Sequence, residues 1–464
     1  MEIAYHEVLQ TVQAHPCPRV RIPPPNRLDI TNWDLAAGLA CSFFGEDPLE
    51  SLRDALRRLT GRQQIFFAPS CRAAIAEILS LLPVREVVMP AFTCPVVKTA
   101  VRFAGKQIEY VDIAPHSVNA TSQEFAEKAL AGRVLLPTHL FGIPADIERI
   151  CALAKERDCL TIEDAAAAFG AKHNGRVLGT FGDFGIFSFE RSKRLPAFSG
   201  AAIIVNNESL IDPAKLASHR VVRTGCEAPV REAFKAAMYN LATVPSFYGR
   251  AILPRLLHAY RDGKALERCQ SAADGLRTRF YTREFHPYQA ALVLRALRRL
   301  NQIHTHIEKL VGIYHNALRS AAVETFLPPG SDLGALLRFP IAFPEQERSD
   351  VLLAALRSGL YLETNFEQPL VEPDQYHRYP RALWAARNLV LLPLYRRLGL
   401  DVAQQLAEKI TKIAVPMSVS SKHRVPEEHK SPKAEFALPA VASQATRATA
   451  AEFHPAPPGR GSTL

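Results

Sequence analysis

The sequence predicts an α/β protein: a mainly parallel sheet with helices on its faces, followed by a smaller α+β region. Three observations carry this. From about residue 50 to 205, short apolar runs alternate with amphipathic stretches, the pattern of a parallel sheet covered on both sides. An acid, Asp164, closes one of the apolar runs, and a lysine, Lys193, follows another. Residues 335–415 then return to β-α units after a long helical stretch.

The elements follow in order. Residues 1–25 form a proline-rich lead ending in Arg21-Ile-Pro-Pro-Pro25, read as an extended arm. A helix over 72–82 precedes a strand at 86–89, and a helix over 95–104 precedes a strand at 107–112. A helix over 122–131 leads to a strand at 133–138. A helix over 145–157 leads to a strand at 159–163. Asp164 therefore falls at the carboxyl end of a strand, where open α/β sheets bind ligands. Residues 210–275 are less regular, and Pro245, Gly249 and Pro254 predict only short helices there. Residues 287–320 predict a long amphipathic helical stretch. The division is an arm at 1–25, a large domain at 26–275 and a small C-terminal domain at 276–415. The tail at 416–464, rich in Ser, Pro, Ala and Thr, buries too little apolar surface to offset the entropy of ordering and is expected to be disordered.

Bulk properties exclude several classes. The chain has 464 residues, enough for two or three domains, and a formal charge of +10. Its basic residues are scattered among acids, so no nucleic-acid footprint stands out, and a basic surface suits an anionic small substrate. Arg295, Arg298 and Arg299 read as a solvated helix face. Eight cysteines are scattered without metal-ligand spacing, so no metal is expected, and they read as thiols in a reducing compartment. The N-terminus has no signal-peptide pattern, and no apolar run reaches the ~18–20 residues of a membrane span. The expected location is the cytoplasm.

Asp164 and Lys193 give the chemistry. A lysine amine can form a Schiff base with an aldehyde, and a carboxylate can pair with a pyridinium nitrogen; together they are the protein's half of pyridoxal-phosphate chemistry. The run from Cys159 through Glu163-Asp-Ala-Ala166 and Gly182-Asp-Phe-Gly-Ile-Phe-Ser188 to Lys193 resembles the DegT/StrS-type sugar aminotransferases. Further blocks extend the resemblance over most of residues 25–415. They are Glu86-Val-Val-Met-Pro-Ala-Phe-Thr93, Tyr110-Val-Asp112, His139-Leu-Phe-Gly142 with Pro144-Ala-Asp146, and Leu392-Pro-Leu-Tyr395.

The resemblance implies a fold-type-I transferase that uses pyridoxal 5′-phosphate and works as a homodimer. It implies an amino-acid donor, L-glutamate first, and a keto acceptor on a nucleotide-linked sugar. Lys193 and Asp164 take the catalytic places, and Ser188 the place of a phosphate-binding hydroxyl. Ser70-Cys71-Arg72 stands where the family has Ser-Gly-Thr, at a helix start suited to an anion. Ala167 stands where the family often has Gln. Cys94 stands where an aromatic stacks on the ring, leaving Phe92 to supply that stacking. In the segment after the lysine, only Gly200 of a Gly-rich pattern is kept. These departures keep open a second class, a non-catalytic cofactor-binding sensor or scaffold. His139 reads as a satisfied turn histidine. Residues 225–270 read as an insertion that covers the site mouth or packs in the dimer; the alternative is a weak contact with an anionic membrane surface.

Deleting residues 420–464 is expected to leave the melting temperature and cofactor binding unchanged. A truncated protein that aggregates or loses cofactor would show that the tail packs on the rest.

Overall fold

The computed structural model describes residues 22–44, 47–212, 215–216, 227–255, 281, 284–328 and 332–414. The chain divides into two units, Met1–Pro416 and Met417–Leu464; the second, which holds the tail expected to be disordered, lies outside the described residues.

Helices α1 (Asn32–Phe44) and α2 (Pro48–Thr60) come first. Asp47 caps α2 by accepting from the Leu49 N–H at 2.9 Å, and Gly61 closes it in the left-handed region. Then come β1 (Ile65–Ala68), α3 (Cys71–Leu81), β2 (Glu86–Pro90), α4 (Pro95–Phe103), β3 (Gln107–Val111), α5 (Ser122–Ala126), β4 (Val134–Leu135), α6 (Ile147–Glu156) and β5 (Leu160–Asp164). A hairpin, β6 (Lys172–His173) and β7 (Arg176–Val177), precedes β8 (Phe184–Ser188) and β9 (Ala201–Val205). The expected strand at 133–138 is shorter because Pro137 has no N–H to give the ladder; beyond β4 only the Thr138–Asp164 bridge continues it. The expected helix at 122–131 ends at Ala126.

The sheet order is β1-β9-β8-β5-β4-β2-β3. Strands β3, β2, β4, β5 and β8 are parallel, β9 runs against β8, and β1 runs against β9. Hence β1, β2, β4, β5 and β8 all end at one edge, and β9 begins there. Register aligns Ala68, Ala201 and Ser188 in one row, with Asp164 beside Ile186. That edge receives the loops that follow β1, β2, β4, β5 and β8.

The second half has α7 (Glu227–Ala242), α8 (Pro287–Leu297), α9 (Leu300–Leu318), β10 (Glu324–Thr325), β11 (Phe339–Ala342), α10 (Arg348–Arg357), α11 (Pro380–Asn388), β12 (Val390–Leu392) and α12 (Leu400–Ala414). Strands β10, β11 and β12 form an antiparallel sheet. Ile303, Ile307, Leu310, Val311 and Tyr314 put one face of α9 into the core shared with that sheet.

Several expectations change. The described part of 225–270 is not only short helices. Helix α7 runs 16 residues, because its only proline, Pro229, lies in the first turn where no intrahelical N–H is needed, and alanines follow. Residues 256–270 lie outside the described residues. The stretch 287–320 is two helices broken at Arg298–Arg299. Arg295 and Arg299 are not a solvated face: both pair with Asp34, and Arg299 also donates to the Asp29 carbonyl at 3.0 Å. Although burial works against ionisation, the bonds from Arg299 and Thr31 hold the Asp34 carboxyl down at about 2. Ile22, at the end of the expected arm, is buried against Tyr248 and Leu253; residues 1–21 lie outside the described residues. Helix α8 packs with Leu28, Leu52 and Leu56 of the N-terminal part, so we propose a domain boundary between α8 and α9 rather than at residue 275. No described helix is long and apolar enough to cross a membrane.

Gly185 in β8 lies directly against the Gly179 carbonyl, and a Cβ there would overlap that backbone oxygen. Gly185→Ala is expected to destabilise the protein by about 3 kcal/mol, since backbone on both sides cannot give way. Urea unfolding checks this; a shift within about 1 kcal/mol would show that the strand yields.

Candidate active site

A cavity of about 380 Å³ opens at the shared strand edge. Ser70, Cys71, Arg72, Asp164, Ala167, Ser188 and Lys193 all line it, although nearly 125 residues of sequence separate the first from the last. Phe92 does not line it. Its ring is buried one layer back, edge-on to Phe366 at 5.9 Å, and Cys94, Val96 and Val97 form the wall at that place. The strand has ended at Pro90, and from Thr93 the chain turns into α4 at Pro95, so Thr93, Cys94, Val96 and Val97 reach the cavity and Phe92 does not.

Each residue is set by its element. Ser70 caps α3, with Oγ accepting from the Ala73 N–H at 3.2 Å. Cys71 and Arg72 occupy the first turn, where helix amides and dipole favour an anion. Burial pushes the Cys71 and Cys94 thiols up, so both stay protonated and act as small apolar groups. Ser188 ends β8 and accepts from the Glu190 N–H at 3.4 Å. The Glu190 carboxylate then accepts from the Ser192 N–H at 2.7 Å, and the Lys193 N–H donates to the Glu190 carbonyl at 2.9 Å. That tight turn presents Lys193 to the cavity. Its amine makes no hydrogen bond or ion pair with the described residues.

Asp164 is 4% exposed. Burial pushes its carboxyl up, offset only in part by the Ala166 N–H, which donates to Oδ1 at 3.0 Å, and by the fields of Lys193 and His139. Its neighbour Glu163 points to the opposite face of β5 and is fully buried. It accepts from the N–H groups of Gly179 at 2.5 Å, Phe181 at 2.8 Å and Gly182 at 3.1 Å. His139 is fully buried too. Its Nδ1 accepts from the Ala145 N–H at 2.9 Å, so Nε2 carries the proton and donates to Glu163 at 2.9 Å. His139 is a satisfied turn histidine, as its sequence suggests.

Two groups, Gln289 and the C-terminal wall, escape sequence reading, while Gly200, named there as the kept glycine, shows its physical reason. Gln289 of α8 donates through Nε2 to the carbonyls of Ala197 and Ser199 and to the Ser199 hydroxyl, pinning the loop after Lys193. Gly200, in that loop, has φ 106°, and a Cβ there would strike the Phe285 ring; its carbonyl accepts from the Phe189 N–H at 2.9 Å. Leu337, Arg338, Asn365 and Phe366 close the cavity from the C-terminal half. No motif announces them, because they come from distant segments brought over by β11 and β12. A larger groove, about 760 Å³, lies beside α2 and α8. Its lining holds three arginines, Arg58, Arg295 and Arg298, but no acid and no lysine, so it offers no acid–base pair.

The residues fit the cofactor that the sequence implies. A buried acid whose charged form is destabilised wants a cationic partner, a helix start and hydroxyls suit a phosphate, and a lysine faces the same space. The fold and this pocket define a fold-type-I pyridoxal-phosphate protein. The chain belongs to the DegT/DnrJ/EryC1/StrS aminotransferase family, whose model matches residues 47–411. A stretch of 131 residues is 35% identical to GDP-perosamine synthase of Escherichia coli O157:H7, covering 27% of this chain and 35% of that protein. Another 136 residues are 36% identical to UDP-N-acetyl-3-dehydro-α-D-glucosamine 3-aminotransferase of Acidithiobacillus ferrooxidans, covering 29% and 37%. The chain thus matches just over a third of the length of these curated relatives. In fold, it superposes on the putative sugar aminotransferase Spr1654 of Streptococcus pneumoniae in its PMP form with TM-score 0.66. There the identity is 16%, over 84% of this chain and 98% of that one.

The raised carboxyl of Asp164 gives a signed prediction. In cofactor-free protein the folded state holds this proton more tightly than the unfolded chain. Stability is therefore lost as pH rises through the window between the ordinary carboxylate value and the raised one. Asp164→Asn removes the penalty. Cofactor-free Asp164→Asn should melt higher than wild type at pH 7, with the gap closing below pH ~4. Identical melting at all pH values would show that the buried carboxylate is not under strain.

Proposed function

We propose that the protein is a pyridoxal-phosphate-dependent aminotransferase that moves an amino group from an amino acid, L-glutamate first, to a keto group on a nucleotide-linked sugar. The observation that carries this is Asp164 and Lys193 facing one buried cavity beside the start of α3. Family membership supports the reaction type, and the two curated relatives are named for amino sugars carried on nucleotides.

When bound, the cofactor supplies an electron sink for the bond broken at the substrate carbon. The chain's own residues do the rest. Asp164, buried and held by the Ala166 N–H, would face the pyridine nitrogen and favour a proton there, while the other carboxylate of the lining, Glu190, is tied to Ser192. Ser70, Ser188 and the first turn of α3, with Cys71 and Arg72, hold the phosphate. Lys193 would hold the cofactor through its amine and would carry a proton at its Nζ to and from the reacting carbon. Cys94 and Ala167 fill the space of larger family side chains and leave room in the cavity.

The proposal includes a homodimer. On α7 the side chains of Val230, Phe234, Met238 and Leu241 form an exposed stripe at helical spacing, with Trp33 of the neighbouring α1 exposed at 75%. An exposed apolar stripe of this kind supports a partner copy. A weak membrane contact through the same segment is the lesser reading, since Glu232 pairs with Lys235 at 2.8 Å and so offsets the positive charge along the helix. A non-catalytic sensor is the alternative function.

Borohydride treatment of the loaded protein is expected to fix the cofactor on Lys193, seen by peptide mass. L-glutamate should shift the cofactor absorbance, and a keto-sugar nucleotide should return it. Label on another lysine would overturn the site; a spectrum that glutamate and other amino acids leave unchanged would favour the sensor.

A further inference from the structure

The turn after Lys193 holds a bulky residue in an uncommon backbone conformation. Phe198 has φ 68°, in the left-handed region that residues other than glycine avoid. It is half-buried, and with Ser199 and Gly200 it lines the cavity that Ser70, Cys71 and Arg72 also line. Such a conformation persists only where its surroundings fix it, and it recurs at functional sites.

The surroundings here are specific. The Ala197 N–H donates to the Phe189 carbonyl at 2.7 Å, and the Phe189 N–H donates to the Gly200 carbonyl at 2.9 Å. Both ends of the turn are thus tied to the residue that follows β8. The Gly200 N–H donates to the Pro69 carbonyl at 2.9 Å, which holds the turn against the residue before Ser70, the cap of α3. Gln289, buried on α8, completes the frame. Its Oε1 accepts from the His286 N–H at 2.9 Å, so Nε2 is the atom turned to the loop. Nε2 donates to the Ala197 carbonyl at 3.2 Å and the Ser199 carbonyl at 3.1 Å, the two that flank Phe198, and to the Ser199 hydroxyl at 2.7 Å. One amide therefore holds the backbone on both sides of the strained residue.

The Phe198 ring also differs from the other rings of the cavity. Phe141 and Phe366 line the opposite wall, stacked on each other at 6.1 Å, and Phe366 meets Phe92 edge-on. Phe198 has no ring partner among the described residues. Its turn abuts the start of α3, the end of the cavity suited to a phosphate. A ring at that end keeps water from the anion, so the amides and dipole of α3 act on it in a medium of lower dielectric.

We propose that Phe198 covers the phosphate end of the cavity and that Gln289 is the positioning residue that holds it there. Together they set how long the phosphate-bearing cofactor stays bound. Gln289 is not in the cavity lining and acts through the turn. The proposal deepens the cofactor reading above and rests on it. A phosphate of the nucleotide-linked sugar has the same chemistry, so cofactor release is measured without sugar and the sugar KM is measured separately.

The test uses the full-length protein as wild type, Phe198→Gly, Phe198→Tyr, Gln289→Ala and the double variant Phe198→Gly/Gln289→Ala. Two quantities are read without turnover: the rate at which pyridoxamine phosphate leaves on dilution, and the affinity for pyridoxamine, which lacks the phosphate. Phe198→Gly should release pyridoxamine phosphate about 10-fold faster, the size of one lost aromatic contact, and shift pyridoxamine affinity by less than about twofold. Phe198→Tyr keeps the ring and should release as wild type does. Gln289→Ala should match Phe198→Gly, and the double variant should be no faster than either, because one residue acts through the other. Glycine takes the left-handed backbone freely, so Phe198→Gly carries the test even where Gln289→Ala melts lower. Unchanged release in Phe198→Gly, an equal loss of pyridoxamine, additive effects in the double variant, or an effect confined to the KM of the sugar nucleotide overturns the proposal. The expected release pattern in a protein that no amino donor converts would keep the cover and reject the aminotransferase reading.

Discussion

A carboxylate buried without a bonded cation governs this molecule. Asp164 is at the end of a central strand, and among the described residues its carboxylate accepts one hydrogen bond, from the Ala166 backbone. Such a group is costly in a folded core, because the charged form loses water and gains little in return. The surrounding structure does not relieve that cost; it preserves it. Strands on either side fix the depth of Asp164, and the loops that could have covered it instead open a cavity. A cationic ring placed there would recover the lost solvation, so the site is built to be completed by a ligand.

Glu163, one residue earlier, shows what relief looks like. It is equally buried, but three backbone N–H groups and His139 satisfy it. Strand alternation sends these two acids to opposite faces of β5. One organises the turn into β8 and so positions Ser188 and the Lys193 loop. The other faces the cavity. The Glu163 network is the structural support for the Asp164 site, and the two have to be adjacent for β5 to serve both.

The sequence makes the parallel sheet legible because buried strands and amphipathic helices alternate with sharp boundaries between residues 72 and 188. It also reveals Ser70, Asp164, Ser188 and Lys193, because each lies at an element end within reach of a motif. What it hides has physical causes. Phe92 looks like a ring-stacking residue until the turn at Pro95 is known, and the structure puts it behind the wall. Helix α7 is masked by prolines that fall at its first turn and beyond its end. Gln289 and Arg338 are invisible because their importance lies in contacts across about 90 and 200 residues of chain. An arginine beside a strand has no pattern that separates it from a surface arginine until its 5% exposure is seen.

The two halves of the cavity therefore differ in kind. The N-terminal wall is made by consecutive strand ends, and its geometry is fixed by sheet register; a shift of one residue would turn Asp164 away. The C-terminal wall is made by Leu337, Arg338, Asn365 and Phe366, carried on segments anchored to Phe141 and to β12 by a few bonds. Chemistry common to a family has to come from the rigid wall, because every substrate needs the same atoms in the same place. Selection between substrates falls to the other, whose segments are independent of the register of the large sheet. Small side chains at Cys94 and Ala167 on the rigid wall give that selection more room to work in.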